Sequence, residues 1–463
     1  MSILGAVMMP HPPLIIPQVG RGQEKGIAET VKAMERAARF LAELKPETVV
    51  VVSPHAPAYA DYIHVSPGKA AAGSFAQFGA REVRIEAEYD NEFVNALSAL
   101  CEQTGLSAGT DGERDPALDH ATMIPLYFLE NAMGGKLPKV VRIGISGLPP
   151  EDHYRMGMLI AETADRLGRR AAVVASGDLS HKLKADGPYG LAPEGKVYDR
   201  KIMDVMGRGA FLELFDFPES LCTNAAECGH RSFVTMAGCF DGFAVEAQRL
   251  SYEGPFGVGY GVCTFLKGTP DPARKYLDAH TAAVKRAVAD KQEKEDAYVQ
   301  LARQSFTAWV TRRQTIPVPS DLPEDMLSKR AGVFVSLHKA GQLRGCIGTI
   351  SPTQPSIAQE IIQNAISACA NDPRFSPVRA SELPEIACSV DVLGEAENIE
   401  SMDQLDVLRY GVIVSSGRRR GLLLPALDGV DTVQQQVNIA RRKAGIAEGE
   451  PISLQRFEVI RHE

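Results

Sequence analysis

The chain has 463 residues, of which 44% are hydrophobic and 23% are charged, and its formal net charge is −8. This length exceeds what one hydrophobic core usually serves, so we expect a globular protein of two domains. The excess of acidic residues and the absence of a long Lys/Arg run exclude an extended basic surface for binding nucleic acid or an anionic membrane.

The N-terminal segment lacks the basic and apolar regions of a signal peptide, and no stretch reaches the roughly 20 apolar residues of a membrane span. The eight cysteines are scattered without a CxxC pair. This spacing indicates neither a disulfide framework nor a zinc knuckle. We therefore expect a cytoplasmic protein with reduced thiols.

The first part of the chain has the pattern of a βαβ unit. Residues 3–8 form a short apolar run that predicts a buried strand, and a proline-rich loop with His11 follows. Apolar residues recur at helical spacing over 24–45, and the β-branched run 48–52 ends just before His55. A strand that is apolar on both faces suits the centre of a parallel sheet covered by helices.

The same alternation recurs further along the chain. Residues 140–145 predict a strand, 151–168 a helix and 171–175 another strand, which leads to His181. Open α/β sheets bind ligands beyond the carboxyl ends of their strands, because the loops converge there. The three histidines that follow strands are therefore candidates for a single site.

Two histidines on such loops are typical of the non-haem iron site in which two imidazoles and one carboxylate bind Fe(II) and leave adjacent positions open. We predict His11 and His55 as the histidines and Glu227 as the carboxylate, with one Fe(II) per chain or another divalent metal in its place. Two alternatives stay open. Asn224-x-x-Glu227 resembles a capping box, in which the acidic residue satisfies a helix N-terminus. Cys228 is either the third ligand, as a thiolate, or a small buried residue.

Other polar residues are candidates for proton transfer and substrate binding. A histidine accepts a substrate proton near neutral pH without binding metal, which makes His181 a candidate acid/base group. His120 is a candidate donor to bound oxygen or to an oxyanion, or else a loop histidine that bonds to Asp119. His230 and Arg231 either bind an anionic substrate group or lie on the helix surface.

These residues stand in the motifs MPHPP, VVVVSPHAP, LDHATMIPL, ASGDLSH and AECGHRSF. The order and context of their histidines resemble the LigB-like superfamily, which contains the catalytic subunit of class III extradiol ring-cleavage dioxygenases and the Memo-like proteins. The resemblance covers about residues 1–270. It implies an α/β fold, with a mixed or parallel sheet flanked by helices.

The resemblance to the dioxygenases implies that His11, His55 and Glu227 bind Fe(II). It further implies that His181 is the acid/base group and that His120 supports the site from beyond the metal ligands. A small chelating substrate, aromatic in the dioxygenases, would then bind at the metal.

The Memo-like branch implies a different site. There the counterpart of His181 lies at the metal, and a cysteine in a CG context resembles Cys228. Three hypotheses follow: an Fe(II) oxidoreductase of the ring-cleavage type, a metalloenzyme with other redox or radical-linked chemistry, and a metal-binding adaptor without catalysis.

A charged segment separates two regions of different pattern. After Cys263 the apolar pattern weakens, and residues 283–297 predict a solvated helix or linker. We predict a metal-binding domain at 1–275, a charged linker or helix at 276–297, and an α+β domain at 298–463. The second domain is expected to contain helices at 298–313, 355–370 and 432–444, and strands within 332–350, 386–393 and 411–415.

The second domain contains the motif Leu-Arg-Gly-Cys-Ile-Gly, in which Arg344, Gly345 and Cys346 suggest a reactive thiol beside closely approaching backbone. The simpler interpretation is a tight turn with a buried cysteine. Together with 371–375 (NDPRF) and 421–425 (GLLLP), the motif resembles the AmmeMemoRadiSam system protein A family, related to the AMME-syndrome candidate-region protein. This resemblance implies a radical-SAM protein as partner, since the chain itself lacks a CxxxCxxC cluster motif. The sequence is also compatible with a homo-oligomer.

Overall fold

The structure is a computed structural model that describes residues 3–427 and 429–463. The chain divides into two compact units, Met1–His280 and Thr281–Glu463. Within the described ranges, no helix combines the length and the apolar character needed to cross a membrane.

The first unit alternates strands and helices. Its strands are β1 (Ile3–Met9), β2 (Thr48–Ser53), β3 (Ile63–His64), β4 (Ala70–Phe75), β5 (Ala80–Glu88), β6 (Ala108–Gly109), β7 (Lys139–Gly144), β8 (Ala171–Ser176), β9 (Phe243–Glu253) and β10 (Tyr260–Pro270). Its helices are α1 (Pro17–Gly20), α2 (Ala28–Leu44), α3 (Asn91–Thr104), α4 (His120–Ala132), α5 (Pro150–Leu167), α6 (Pro193–Arg208), α7 (Glu219–Ala225) and α8 (His230–Gly238). The next helix, α9 (Tyr276–Gln292), runs across the unit boundary and corresponds to most of the segment predicted as a charged linker or helix.

The main sheet of the first unit has six strands in the order β7-β2-β8-β1-β10-β9. The four strands from β7 to β1 run parallel, whereas β10 and β9 pair antiparallel at the other edge. Two small pairs, β3 with β6 and β4 with β5, lie outside this sheet. The predicted α/β fold with a mixed or parallel sheet is confirmed.

Helices cover both faces of the sheet, and the central strands are therefore buried throughout. In β2, Val50 packs into one hydrophobic core, while Val49 and Val51 pack into the other. Alternate residues of a strand point to opposite faces, so a run of valines satisfies both cores. This explains why the β-branched run at 48–52 shows no polar alternation.

The parallel order brings the loops of interest together. Strand β8 lies between β2 and β1, and the carboxyl ends of the three strands are Ser176, Ser53 and Met9. The loops that follow them carry His181, His55 and His11. Neighbouring strand ends at one sheet edge thus position three of the candidate residues.

The second unit is an α+β fold around an antiparallel sheet. Its strands are β11 (Val333–Lys339), β12 (Gln342–Gly348), β13 (Ile386–Leu393), β14 (Glu397–Ile399), β15 (Tyr410–Ser416), β16 (Arg419–Leu423) and β17 (Ser453–His462). Its helices are α10 (Ala297–Arg312), α11 (Glu324–Ser328), α12 (Ile357–Ala370) and α13 (Val433–Lys443). The strand order is β12-β11-β13-β17-β15-β16, and β14 also pairs with β17.

The two glycines of the Leu-Arg-Gly-Cys-Ile-Gly motif allow neighbouring groups to pack closely against strand β12. A Cβ on Gly345 would lie 2.2 Å from the carbonyl oxygen of Ala368 in α12, and one on Gly348 would lie 2.2 Å from the ring of Phe334. Only glycine permits such approaches. The motif therefore has a packing role in the second unit.

Candidate metal centre

The backbone and side chain of His11 are fixed by the loop that follows β8. Its backbone N–H donates to Oδ1 of Asp178 at 2.7 Å, and its Nδ1 lies 3.0 Å from Oγ of Ser176. The Ser176 hydroxyl donates its one proton to the carbonyl oxygen of Ala121 at 2.6 Å, so it must accept from Nδ1–H of His11. This tautomer leaves the lone pair of His11 Nε2 free to bind a metal.

Three histidines converge at this edge of the sheet. One nitrogen from each of His11, His55 and His120 lies within 4.8 Å of the nitrogens from the other two. The ring centroids are 5.0 Å apart for His11 and His55, 5.4 Å for His11 and His120, and 4.5 Å for His55 and His120. We call these three residues the histidine cluster.

Asp119 links the loops that carry two members of the cluster. It is the N-cap of α4, where its Oδ1 accepts the backbone N–H of Thr122 at 2.9 Å, and His120 is the first residue of that helix. The same Oδ1 accepts the hydroxyl of Ser53 at 2.7 Å, and the Ser53 oxygen accepts the backbone N–H of His55 at 3.3 Å. One carboxylate thus orders both loops.

Burial keeps the cluster in the form that binds metals. It lowers the pKa of His11 well below its usual value and lowers the pKa of His120 to about 4. His55 is the most exposed of the three, and the partial loss of water around its ring lowers its pKa in the same direction. The mutual repulsion of the charged histidines adds to the effect for His11 and His120. Neutral imidazoles suit iron, zinc and copper, so the donor set fits a divalent transition metal.

His181 is a fourth histidine in this region. It contacts Ala226, two residues before Cys228, whose Sγ lies 3.5 Å from Nε2 of His11. The charged form of His181 would lower the pKa of both His11 and His55. Its Nδ1 bonds to the carbonyl oxygen of Ala226, and a carbonyl only accepts. The proton therefore lies on Nδ1, and Nε2 is the atom able to accept another. Burial lowers the pKa of His181, so the neutral ring is the form near pH 7.

Glu227 is held outside the cluster by its own contacts. Its Oε2 accepts the backbone N–H of His230 at 2.6 Å and lies 3.5 Å from the hydroxyl of Tyr198. Burial raises the pKa of Glu227 to about 7. Among the described residues, the group within metal-binding distance contains His120 and does not contain Glu227. Ligation by Glu227 stays a prediction, and it would use the second carboxylate oxygen or release the amide of His230.

Of the alternative that Asn224 and Glu227 form a capping box, only the part played by Glu227 is observed. Helix α7 ends at Ala225, and Ala226 follows in the left-handed region at φ 52. The next helix begins only at His230, with Gly229 as its N-cap and no side-chain cap bond. Glu227 therefore lies in the connection between two helices, although its carboxylate still binds the first amide of α8.

Cys228 contacts a member of the histidine cluster. Its Sγ lies 3.5 Å from Nε2 of His11 and accepts the backbone N–H of Asp178 at 3.3 Å. Burial raises the pKa of the thiol well above its ordinary value. The neutral thiol is thus placed beside the free nitrogen of a cluster histidine.

The two candidate substrate-binding residues differ in their surroundings. Both ring nitrogens of His230 have partners inside the protein, with Nε2 3.1 Å from the carbonyl oxygen of Leu214 and Nδ1 3.4 Å from the hydroxyl of Tyr198. This arrangement favours a structural role for His230. Nε of Arg231 is buried without a hydrogen-bond partner in the described ranges, and its charge lowers the pKa of Glu227.

In the second unit, Arg344 is engaged by its own domain. Its Nε and Nη2 donate to the two carboxylate oxygens of Glu382 at 2.9 and 3.1 Å, and its Nη1 donates to the carbonyl oxygen of Ser376 at 2.8 Å. Cys346 is half-buried, and its Sγ lies 3.2 Å from the hydroxyl of Ser336. The arginine joins strand β12 to the segment before β13.

The residues that orient the cluster have no recognisable signature in the sequence. Asp178, Ser176 and Ser53 match no metal-ligand motif, and the sequence indicates Asp119 only as a partner for His120. Their common signal is position, because each is a polar residue at or just beyond the end of a buried strand or at the start of a helix. Residues that bond to metal-binding histidines fix the tautomer and the orientation of the ring.

Comparison with known proteins agrees with this architecture. Residues 5–263 match the family of the catalytic LigB subunit of aromatic ring-opening dioxygenase, and residues 299–462 match the AMMECR1 family. The chain is 40% identical to protein CA_C1420 of Clostridium acetobutylicum, over 100% of this chain and 99% of that protein. A Thermotoga maritima protein is 46% identical over 36% of this chain and 98% of its own length.

Two solved structures are also similar to parts of the chain. Protein PH0010 of Pyrococcus horikoshii is 28% identical with a TM-score of 0.34, and covers 36% of this chain and 90% of that one. Protein JW3007 of Escherichia coli K12 is 15% identical with a TM-score of 0.36, and covers 56% of this chain and 99% of that one.

The matched region and the fold define the first unit as a LigB catalytic domain. The chain belongs to the LigB family, and in this protein that domain is fused to an AMMECR1 domain. The predicted resemblance of both parts is confirmed.

Proposed function

We propose that the first unit is a non-haem Fe(II)-dependent oxidoreductase related in chemistry to the aromatic ring-opening dioxygenases. The observation that carries this proposal is the histidine cluster, which brings three neutral imidazoles together at the carboxyl edge of a LigB-type sheet. His11, His55 and His120 would hold one Fe(II), and another divalent metal is the alternative. A bound Fe(II) would supply a centre that accepts two oxygens of a chelating substrate and exchanges electrons with dioxygen.

The side chains around the cluster suit a substrate with an acidic hydroxyl. His181 holds its proton on Nδ1 against Ala226, so Nε2 is the base for a phenolic proton. Asp178 and Asp119 hold His11 and His120 in place through the backbone and the helix cap. Arg231 has an unsatisfied Nε and would pair with an anionic group of the substrate.

The experiment is anaerobic purification, iron quantification and titration with 4-nitrocatechol, followed by oxygen uptake on admission of air. The proposal expects about one iron per chain, a shift in the 4-nitrocatechol absorption on chelation, and oxygen uptake that depends on the ring substrate. His55→Ala serves as the matched metal-deficient control. Iron-loaded protein that neither chelates the catechol nor consumes oxygen would contradict the proposal.

A second candidate function is a metalloenzyme of the Memo-like type with other redox or radical-linked chemistry. The position of Cys228 favours it, because a thiol 3.5 Å from Nε2 of His11 is well placed to become a ligand. A metal-binding adaptor is the third candidate. Metal binding that Cys228→Ser abolishes, without a response to catechols, would favour the Memo-like function over the first proposal.

The role of the second unit is a proposal that rests on the fusion alone. Covalent linkage raises the effective concentration of one domain at the other, which helps when both act on a common substrate or partner. A radical-SAM protein is the proposed partner, with homo-oligomers as an additional assembly and the cytoplasm as the location. Co-purification of a radical-SAM protein with the full chain, and not with a 1–280 fragment, is the expected result.

A further inference from the structure

After His181 the chain forms a loop, residues 182–192, whose two ends lie next to each other. Leu183 and Leu191 form an antiparallel bridge at its base, and the backbone N–H of Ala192 donates to the carbonyl oxygen of Lys182 at 3.0 Å. The N–H of Leu183 also donates to the carbonyl oxygen of Gly257 at 3.0 Å. These bonds anchor the base, so the tip has a defined position relative to His181.

Apolar side chains are exposed at the tip of this loop, at its base and in the helix that follows. Tyr189 is 61% exposed and Leu191 is 58% exposed, and Val197, at the start of the next helix, is 55% exposed. Burying an apolar side chain is favourable, so three such residues close together in the chain mark a surface that gains from a ligand.

Tyr189 connects this surface with the candidate metal centre. Its ring centroid lies 5.1 Å from that of His181, with an interplanar angle of 64°. This is an edge-to-face contact, which leaves most of the tyrosine ring free for another group. His181 in turn contacts the carbonyl oxygen of Ala226, two residues before Cys228, whose Sγ lies 3.5 Å from Nε2 of His11. A substrate whose proton reaches Nε2 of His181 would therefore lie near the ring of Tyr189.

We propose that Tyr189 is a specificity-determining residue of the first unit, which packs against the planar ring of a substrate bound at the histidine cluster, with Leu191 as a further apolar contact. This inference rests on the proposed function, because it takes a ring-bearing chelator as the substrate. The tyrosine acts through contact with the ring alone. Its hydroxyl takes no part, so phenylalanine replaces it.

The test uses the full iron-loaded protein and two probes, 4-nitrocatechol and oxalate, each titrated anaerobically by absorption. Tyr189→Ala is expected to weaken 4-nitrocatechol binding roughly three- to tenfold, the range for a lost aromatic contact, while oxalate binding and iron content stay unchanged. Tyr189→Phe is expected to restore the affinity. Leu408→Ala, at another exposed leucine (73%), is the control and should change neither probe.

The outcomes separate this inference from the function on which it rests. If the unchanged protein binds 4-nitrocatechol and Tyr189→Ala binds it equally well, the inference is overturned and the proposed function stands. If the unchanged protein does not bind 4-nitrocatechol, both are overturned. If Tyr189→Ala changes only the oligomeric state of the protein in solution, the surface is a contact between copies of the chain and the inference is overturned.

Discussion

Sγ of Cys228 lies 3.5 Å from Nε2 of His11, the nitrogen that the bond between Nδ1 and Ser176 leaves free. Burial raises the pKa of this thiol, so it is neutral and able to donate its proton to Nε2. A metal bound to Nε2 would compete directly with that contact. The relationship makes Cys228 sensitive to metal occupancy whether or not it becomes a ligand.

The first prediction concerns the ligand set. His11→Ala, His55→Ala and His120→Ala should each remove most of the iron, because each deletes one donor of the cluster. His462→Ala, in the second unit, is the control and should leave the iron content unchanged. Iron is quantified after anaerobic loading and gel filtration.

Glu227→Gln provides the comparison that tests the competing ligand. We expect it to retain more iron than His120→Ala, since the Glu227 carboxylate accepts the amide of His230. The reverse order would show that the carboxylate turns into the site and that Glu227 is the third ligand. Cys228→Ser losing the most iron would instead indicate the Memo-like arrangement.

The second prediction concerns proton transfer. His181→Phe should keep the iron and lower turnover on the order of 10²–10⁴-fold, the usual range for a lost acid/base group. Oxygen uptake in the presence of a catechol measures turnover, and iron content is measured on the same sample. Loss of iron in His181→Phe would identify His181 as a ligand and contradict its role as a base.

The third prediction concerns pH. Asp199 is 1% exposed and accepts the N–H of Ser180 at 2.8 Å and the hydroxyl of Tyr252 at 2.7 Å. Burial raises its pKa to about 6, so the folded protein holds the proton more tightly than the unfolded chain does. Its contribution to stability is complete below about pH 4 and is lost as pH rises through about 6.

The measurement compares the free energy of unfolding of the unchanged protein with that of Asp199→Asn between pH 4 and 7. The unchanged protein should lose stability relative to the variant as pH rises, by an amount on the order of 2–3 kcal/mol. Asp204→Asn, on an exposed face of the same helix, is the control. A constant difference for Asp199→Asn across this range would contradict the prediction.

The fourth prediction concerns the motif of the second unit. Gly345→Ala should destabilise that unit by about 1–3 kcal/mol or more, because the added Cβ would lie 2.2 Å from the carbonyl oxygen of Ala368. Gly417→Ala is the control for backbone strain, since Gly417 has φ 59 with nothing within 4 Å of an added Cβ. It should cost only about 1–2 kcal/mol. An equal effect of the two substitutions on thermal unfolding would contradict the packing role.

Periodicity and strand ends predicted most of the fold. The helix expected at 298–313 is observed at Ala297–Arg312, and the strand expected at 386–393 is observed at Ile386–Leu393. In long segments the period of the apolar residues alone indicates whether the segment is a helix or a strand. Antiparallel strands β9 and β10 were not predicted, because β9 is only half-buried and lacks a clean alternation.

The site was predictable in part for a similar reason. His11 and His55 follow strands that the sequence reveals, and parallel pairing brings those ends together. His120 follows no strand, and it enters the cluster because Asp119 caps α4 and also bonds to Ser53. The sequence predicts that the segment with Glu227 opens a helix, whereas the helix begins at His230. Contacts between loops distant in sequence leave no local pattern.

The proposed function depends on His11, His55 and His120 binding one metal ion together. Anomalous diffraction at the iron edge, from crystals of the full chain soaked anaerobically with Fe(II), measures this. We expect one strong anomalous peak per chain, within bonding distance of one nitrogen from each of the three imidazoles. A peak bonded to other side chains, or no peak in crystals that contain Fe(II), would contradict it.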